Sequence, residues 1–267
     1  MSKNILLTIA YDGSAFHGWQ KQPGERTVQG HLERTMSQLF RREILLSGTS
    51  RTDAGVHALD QKATFLSELN VPTEKLPLII NNALCGEEKG PFAKSPVRIL
   101  DAQEMPEDFH ARFSCKGKKY IYRIRDGATN GRSMVFDRNY VYYVDRKLDT
   151  GAIQEAAAYL KGTHDFKSFE ASGGNPRETT VRTIFDAKVT TGQTPNSEIR
   201  LHISGDGFLY NMVRIITGTL VEIGQGKRDP QDMDRIIEAK DRQAAGFTAP
   251  PHGLYLAKVY YEMPIND

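Results

Sequence analysis

The chain has 267 residues, 39% hydrophobic and 25% charged, with a mean hydropathy of -0.49; this excludes an unfolded low-complexity polymer and provides for one large core or two moderate ones. Its 35 Lys and Arg against 33 Asp and Glu leave a formal charge of +2, too little to argue for nucleic acid by itself, because backbone binding draws on several cations gathered on one face. No stretch approaches the ~20 apolar residues of a membrane span, the start has no export signal, and Cys85 and Cys115 lack metal-ligand spacing, so a cytoplasmic protein with reduced thiols is expected.

Ile5 to Tyr11 reads as a strand ended by the Asp12-Gly13 turn. Thr27 is placed to cap a helix whose Val28, Leu32, Met36, Leu39 and Phe40 form one apolar stripe suited to covering a sheet. Ile44 to Leu46 reads as a short buried strand and Gln61 to Phe65 as the next, leaving Gly48 to Leu59 irregular between them. Thr73 opens a second helix through Leu76, Ile79, Ile80 and Leu84, followed by a loop over Gly86 to Pro96 and a strand over Val97 to Leu100. A first lobe, residues 1–105, is expected to end there.

In a second lobe, 106–267, strands are expected at Lys118 to Arg125 and at Tyr140 to Val144. A helix follows from Asp149, with Ile153, Ala156, Ala157 and Leu160 on one side, then strands at Thr183 to Val189 and Ile199 to Ser204. Met212, Ile215, Ile216, Thr219, Leu220 and Ile223 form a helical stripe stopped by Gly224 and Gly226. Asp229-Pro230 caps a further helix through Met233, Ile236 and Ile237, and Leu254 to Tyr261 closes the chain as a strand. Strands and helices without regular alternation predict an α+β fold with largely antiparallel sheets. Gly86 to Ser95 and Thr191 to Asn196 read as surface loops. Basic residues gather twice, as Lys116, Lys118, Lys119, Arg123 and Arg125 around one strand and as Arg177, Arg182, Lys188 and Arg200. Solvated strand faces explain them as well as RNA does.

The run Ser50-Arg51-Thr52-Asp53-Ala54-Gly55-Val56-His57-Ala58 sets a single carboxylate beside a guanidinium on an inter-strand segment, where reactive side chains tend to sit. A bare Arg-x-Asp is better explained by a turn-capping Asp with a surface Arg partner. The eight residues from Arg51 to Ala58, however, resemble as a whole the signature loop of the tRNA pseudouridine synthase A family. Further matches keep the family's order along nearly the whole chain: Tyr11-Asp12-Gly13, Gly18-Trp19-Gln20, Val28-Gln29, Asp108 to Ser114, Lys119-Tyr120-Ile121-Tyr122, Asp165 to Phe169, Met212-Val213-Arg214 and Gly253 to Leu256.

That resemblance implies two α/β lobes meeting at a central basic cleft, a homodimer, no cofactor and no metal. It implies isomerisation of uridine to pseudouridine in tRNA, at positions 38, 39 and 40 of the anticodon stem-loop. Asp53 is then the catalytic carboxylate, and attack at C1', addition at C6 and removal of a proton all remain open to it. Burial of a carboxylate penalises its charged form, which calls for a nearby cation; the resemblance gives that place to Arg214, with Arg51 facing the RNA. It marks Tyr120, rather than Tyr122, as the substrate-contacting tyrosine, able to stack on uracil and to handle the C5 proton, and Leu254 as the apolar residue against the target base. Phosphate contacts are expected from Lys118, Lys119 and Arg123 with His57, His110 and Arg112, and His57 reads as a structural or RNA-facing hydrogen bonder rather than a base. Ser50 and Asp60 stand where the family usually has glycine, and the 86–95 loop is long, which bears on specificity more than on chemistry. The rival readings are the same reaction on ribosomal RNA, an RNA-binding module without catalysis, and a retaining glycosidase, which would want a second carboxylate about 5 to 5.5 Å away.

Overall fold

Strand and helix signals in this chain come largely from apolar periodicity, and the computed structural model realises most of them across the residues it describes: 2–86, 95–127, 135–174, 178–192 and 198–263. Arg177 and most of the two expected surface loops lie outside the described residues. The chain divides into two units, Met1–Lys116 with Leu256–Asp267, and Gly117–Tyr255.

In the first unit, β1 (Lys3–Tyr11) lies between β3 (His57–Ser67) and β4 (Val97–Met105), antiparallel to both. Helices α1 (Val28–Phe40) and α2 (Leu76–Leu84) bury Val28, Leu32 and Met36 and Leu76, Ile80 and Leu84, the inward positions of the expected stripes. The Thr27 side chain caps α1 by accepting from the Gly30 amide at 3.3 Å. Where β1 and β4 slip register beside Leu100, Asn81 of α2 takes over the ladder, bonding both the amide and the carbonyl of Ile99 at 2.8 Å.

The expected strand at Ile44 to Leu46 does not form. Ile44 and Leu46 are buried but Leu45 is 62% exposed, and Leu46 is held by side chains instead of a ladder: its amide donates to Glu33 Oε1 and its carbonyl accepts from Gln29 Nε2, both at 3.0 Å. The strand is β2 (Ser47–Gly48), two residues further on, paired with Thr64 and Ala63. Because β3 starts at His57 rather than Gln61, the irregular segment shrinks to Thr49–Val56.

In the second unit, the order is β5 (Gly117–Asp126), β9 (Ile199–Gly205), β8 (Val181–Thr191) and β7 (Gly162–Asp165), antiparallel throughout, with β6 (Tyr142–Val144) parallel to β5. Helix α3 (Thr150–Ala158) starts at the expected cap, Asp149 Oδ1 accepting from the Ala152 amide at 3.0 Å. Helix α4 (Met212–Gly224) is buried at every residue except Arg214 and Glu222. Its two buried threonines are satisfied internally, Thr217 and Thr219 donating to Val213 O and Ile215 O. Helix α5 (Asp232–Ala239) begins at Gln231, two residues after the expected Asp229-Pro230 cap; those two residues instead form the turn before it, their carbonyls accepting from Asp232 and Met233. Strand β10 (Leu254–Tyr260) ends the regular structure, with Leu254 and Tyr255 in the second unit and the rest in the first.

Candidate active site

Asp53 is half-buried on a loop whose main chain is fixed on both sides. Gln61, fully buried on β3, accepts the Ser50 amide at 3.2 Å and donates to the Ser50 carbonyl at 2.7 Å, so that one side chain imitates a strand partner. Ser50 is absent from the positive-φ residues, so the backbone asks for no glycine there. Asp60, the other departure, accepts the Val259 amide at 2.8 Å. Thr52 is buried, its hydroxyl 2.7 Å from the Tyr11 hydroxyl and its carbonyl accepting the Trp19 amide at 3.1 Å. A register slip just before Tyr11 aims that ring, and the Asp53 carbonyl closes the loop by accepting the Val56 amide at 3.1 Å. The loop is thus short and strapped at Ser50 and Thr52, which holds the backbone on both sides of Asp53.

The other candidates of the first unit divide by exposure. Arg51 and Arg112 are exposed. His57 is 2% exposed; its Nδ1 accepts the Gly13 amide at 3.1 Å and lies 3.3 Å from Asp12 Oδ1. The geometry is that of a structural hydrogen bonder. Gly13 is required here, since a Cβ on it would lie 2.0 Å from the Val56 carbonyl oxygen.

In the second unit, Arg214 projects from the first turn of α4. Its Nε donates to the Ala249 carbonyl and its Nη1 to Asn211 Oδ1, both at 2.7 Å, which fixes the guanidinium plane. Asn211 precedes α4 in a left-handed conformation (φ 59°) and makes no side-chain cap, because its amide oxygen serves Arg214 instead. Tyr120 on β5 is 8% exposed and meets Phe208 edge-on at 5.0 Å. Tyr122, two residues on, is wholly buried and donates to the Pro250 carbonyl at 2.6 Å; burial pushes its phenol well above the ordinary range, although the Arg214 charge pulls the other way, so it stays a donor. Gly253 packs against that ring, a Cβ there falling 2.7 Å from Tyr122 Cε1, and Leu254 follows at 6% exposure. Ala249 to Leu254 is therefore clamped by Arg214 at one end and Tyr122 at the other.

Lys119 is half-buried on β5. Arg123, expected to meet phosphate, is committed within the protein: it pairs with Glu198, donates to Tyr255 at 3.0 Å and lies over that ring. Arg125 likewise pairs with Asp137 and Glu198, and Arg200 with Glu198. Of the basic group around β5, Lys116 is the exposed member and Lys118 and Lys119 are half-buried.

Reading the sequence missed Gln61 and Asn211. The one signal for Gln61 was a polar residue at an inward position of β3, in step with Ala63 and Phe65. Asn211 carried no signal beyond standing before a helix. Among the described residues, no group of three or more His, Cys, Asp or Glu is placed to hold a metal ion, and no helix is long and apolar enough to cross a membrane.

Comparison with known proteins matches the family described as tRNA pseudouridine synthase over residues 7–114 and 156–262. The chain is 45% identical to "tRNA pseudouridine synthase A" of Caldicellulosiruptor bescii, over 97% of its own length and all of the relative's. It is 42% identical to "tRNA pseudouridine synthase A 2" of Clostridium tetani, over 98% of its length and all of that protein's. A third relative, "tRNA pseudouridine synthase A 2" of Clostridium perfringens, is 40% identical over 97% of the chain and 100% of the relative.

Proposed function

The chain belongs to the tRNA pseudouridine synthase family, and on that premise we propose that it isomerises uridines 38, 39 and 40 of the tRNA anticodon stem-loop, in the cytoplasm and as a homodimer. The observation that carries this reading is the Arg51–Ala58 loop, which has the family's wording without a break and is strapped by Gln61 to Ser50 and by Tyr11 to Thr52.

The reaction breaks the bond between uracil N1 and ribose C1', turns the base, and joins C5 to C1'; C5 gives up its hydrogen as a proton and the freed N1 takes one up, so the product is an isomer. Asp53 is the catalytic carboxylate: held by a rigid loop, it supplies the negative charge that an electron-poor ring or a cationic C1' requires. Arg214, by resemblance, is the cation that keeps the carboxylate ionised, and the bonds it donates to Asn211 and Ala249 orient it. Tyr120 offers a flat face for uracil and a hydroxyl to move the C5 proton, with Phe208 holding its ring. Leu254 closes over the base. Extruding the nucleotide costs a few kcal/mol, which exposed Arg51 and Arg112 and half-buried Lys119 offset through phosphate contacts.

The test is to incubate the protein with unmodified tRNA transcripts and map the pseudouridine formed. Product confined to positions 38, 39 and 40 is expected; product elsewhere in tRNA would overturn the positional assignment. Sedimentation at micromolar concentration reads the dimer, and a monomer would contradict it.

A further inference from the structure

Phe113 is 76% exposed. A lone exposed apolar residue is ordinary on a protein surface, but this ring is flanked and its backbone unusually well fixed. The Arg112 guanidinium lies over it at 5.8 Å, and the His110 ring stands 4.4 Å away, tilted by 38°. His110 Nδ1 accepts the amides of Arg112 at 3.1 Å and Phe113 at 3.4 Å, the His110 amide donates to Ser114 Oγ at 3.1 Å, and the Ser114 amide donates to the His110 carbonyl at 2.9 Å. The turn is also tied inward. Ala111 is fully buried, and its carbonyl accepts the hydroxyls of Thr49 at 2.9 Å and Tyr261 at 3.0 Å. The Phe109 ring meets Tyr261 edge-on at 4.8 Å, and its carbonyl accepts from Asn4 at 2.7 Å.

A flat apolar ring on a stiff turn, beside an exposed cation, is complementary to one nucleotide: the base stacks on the ring and the phosphate meets the guanidinium. One ring is a small area for a stable protein partner, which buries about 800 Å² on each side. Because the turn is already ordered, little conformational entropy is lost when a base settles on it. Thr49, whose hydroxyl holds Ala111, leads directly into the Ser50–Asp53 segment, so the turn shares an anchor with the catalytic loop.

We propose that Phe113, flanked by Arg112 and His110, is a stacking platform for an unpaired base of the RNA substrate other than the target uridine. This rests on the reading of the chain as an enzyme acting on tRNA, and goes beyond it by naming a second contact.

The chain has a single tryptophan, Trp19, which is 1% exposed, so Phe113→Trp places one exposed reporter on the turn. Adding tRNA is expected to quench emission in Phe113→Trp and to leave the natural protein's emission unchanged. Phe113→Ala is expected to bind tRNA about tenfold more weakly, within about 5- to 150-fold, while Leu78→Ala, at another highly exposed apolar residue, on α2 (66% exposed), binds as the natural protein does. Unchanged affinity in Phe113→Ala would overturn the platform. So would a Trp signal that follows protein concentration rather than tRNA, with Phe113→Ala losing self-association on sedimentation, since the ring would then belong to an interface between copies. Release of uracil C5 tritium by the natural protein, measured on the same preparations, separates the two claims: release with unaltered Phe113→Ala binding sinks the platform alone, and neither binding nor release by the natural protein sinks both.

Discussion

Gln61 devotes both ends of its amide to the backbone of one residue, and Asn211 devotes its amide oxygen to one guanidinium. Motif wording finds neither, because a single side-chain bond to a backbone group or a guanidinium leaves no periodicity behind; Asp53, Tyr120 and Arg214, by contrast, stood out in the sequence through the words around them. Replacing Gln61 by Leu keeps the volume and strands the amide and carbonyl of Ser50 in a buried site. The expected cost is about 1–3 kcal/mol of unfolding free energy, read as a lower urea midpoint, together with a fall in tRNA isomerisation as the Asp53 loop loosens. Unchanged stability would show that the strap is dispensable. Asn211→Gly keeps the left-handed backbone and removes only the acceptor for Arg214. It is expected to unfold within about 0.5 kcal/mol of the natural protein and to lose about tenfold in kcat/KM, the worth of one charge-assisted bond. Equal loss of stability and activity would mark Asn211 as a structural cap instead.

At the scale of elements, most strands and the helices α1 to α5 follow the apolar pattern, and the exceptions have local causes. Ile44 to Leu46 has the composition of a strand, but Glu33 and Gln29 satisfy its backbone, so the ladder moves to Ser47–Gly48. Strand β7, Gly162-Thr163-His164-Asp165, escapes notice because its residues lack apolar alternation and it lies at the edge of its sheet. The ionic cluster of Arg123, Arg125 and Glu198 joins β5 to the start of β9, so Arg123, expected to meet phosphate, is engaged within the protein. Burial alone would raise the Glu198 carboxyl, but hydrogen bonds and charge from Arg123 and Arg200 outweigh it and hold the group down to about 2. A carboxyl depressed in the folded state stabilises the fold above its unfolded value of about 4.3 and loses that contribution as pH falls from there towards 2. Thermal stability is therefore expected to drop across that window, and Glu198→Gln to flatten the drop while lowering stability at pH 7. An acid limb of the same slope in the variant would place the sensitive group elsewhere.

For the whole molecule, the α+β class and the largely antiparallel pairing were legible because strand and helix periods are distinct. The return of the chain's last strand to the first unit was not, since Leu256 to Tyr260 looks like any apolar strand and its place depends on contacts hundreds of residues apart. Net charge was equally silent: +2 over the chain conceals exposed Arg51 and Arg112 and the internally committed Arg123 and Arg125. The central claim, that the chain isomerises uridine in tRNA through Asp53, is tested most directly with a tRNA transcript carrying tritium at uracil C5, incubated with the natural protein and with Asp53→Ala. Joining C5 to C1' expels that hydrogen, so the natural protein is predicted to release tritium into water and the folded variant to release none; release by Asp53→Ala at the natural rate, or none by a natural protein that binds the tRNA, would contradict the account.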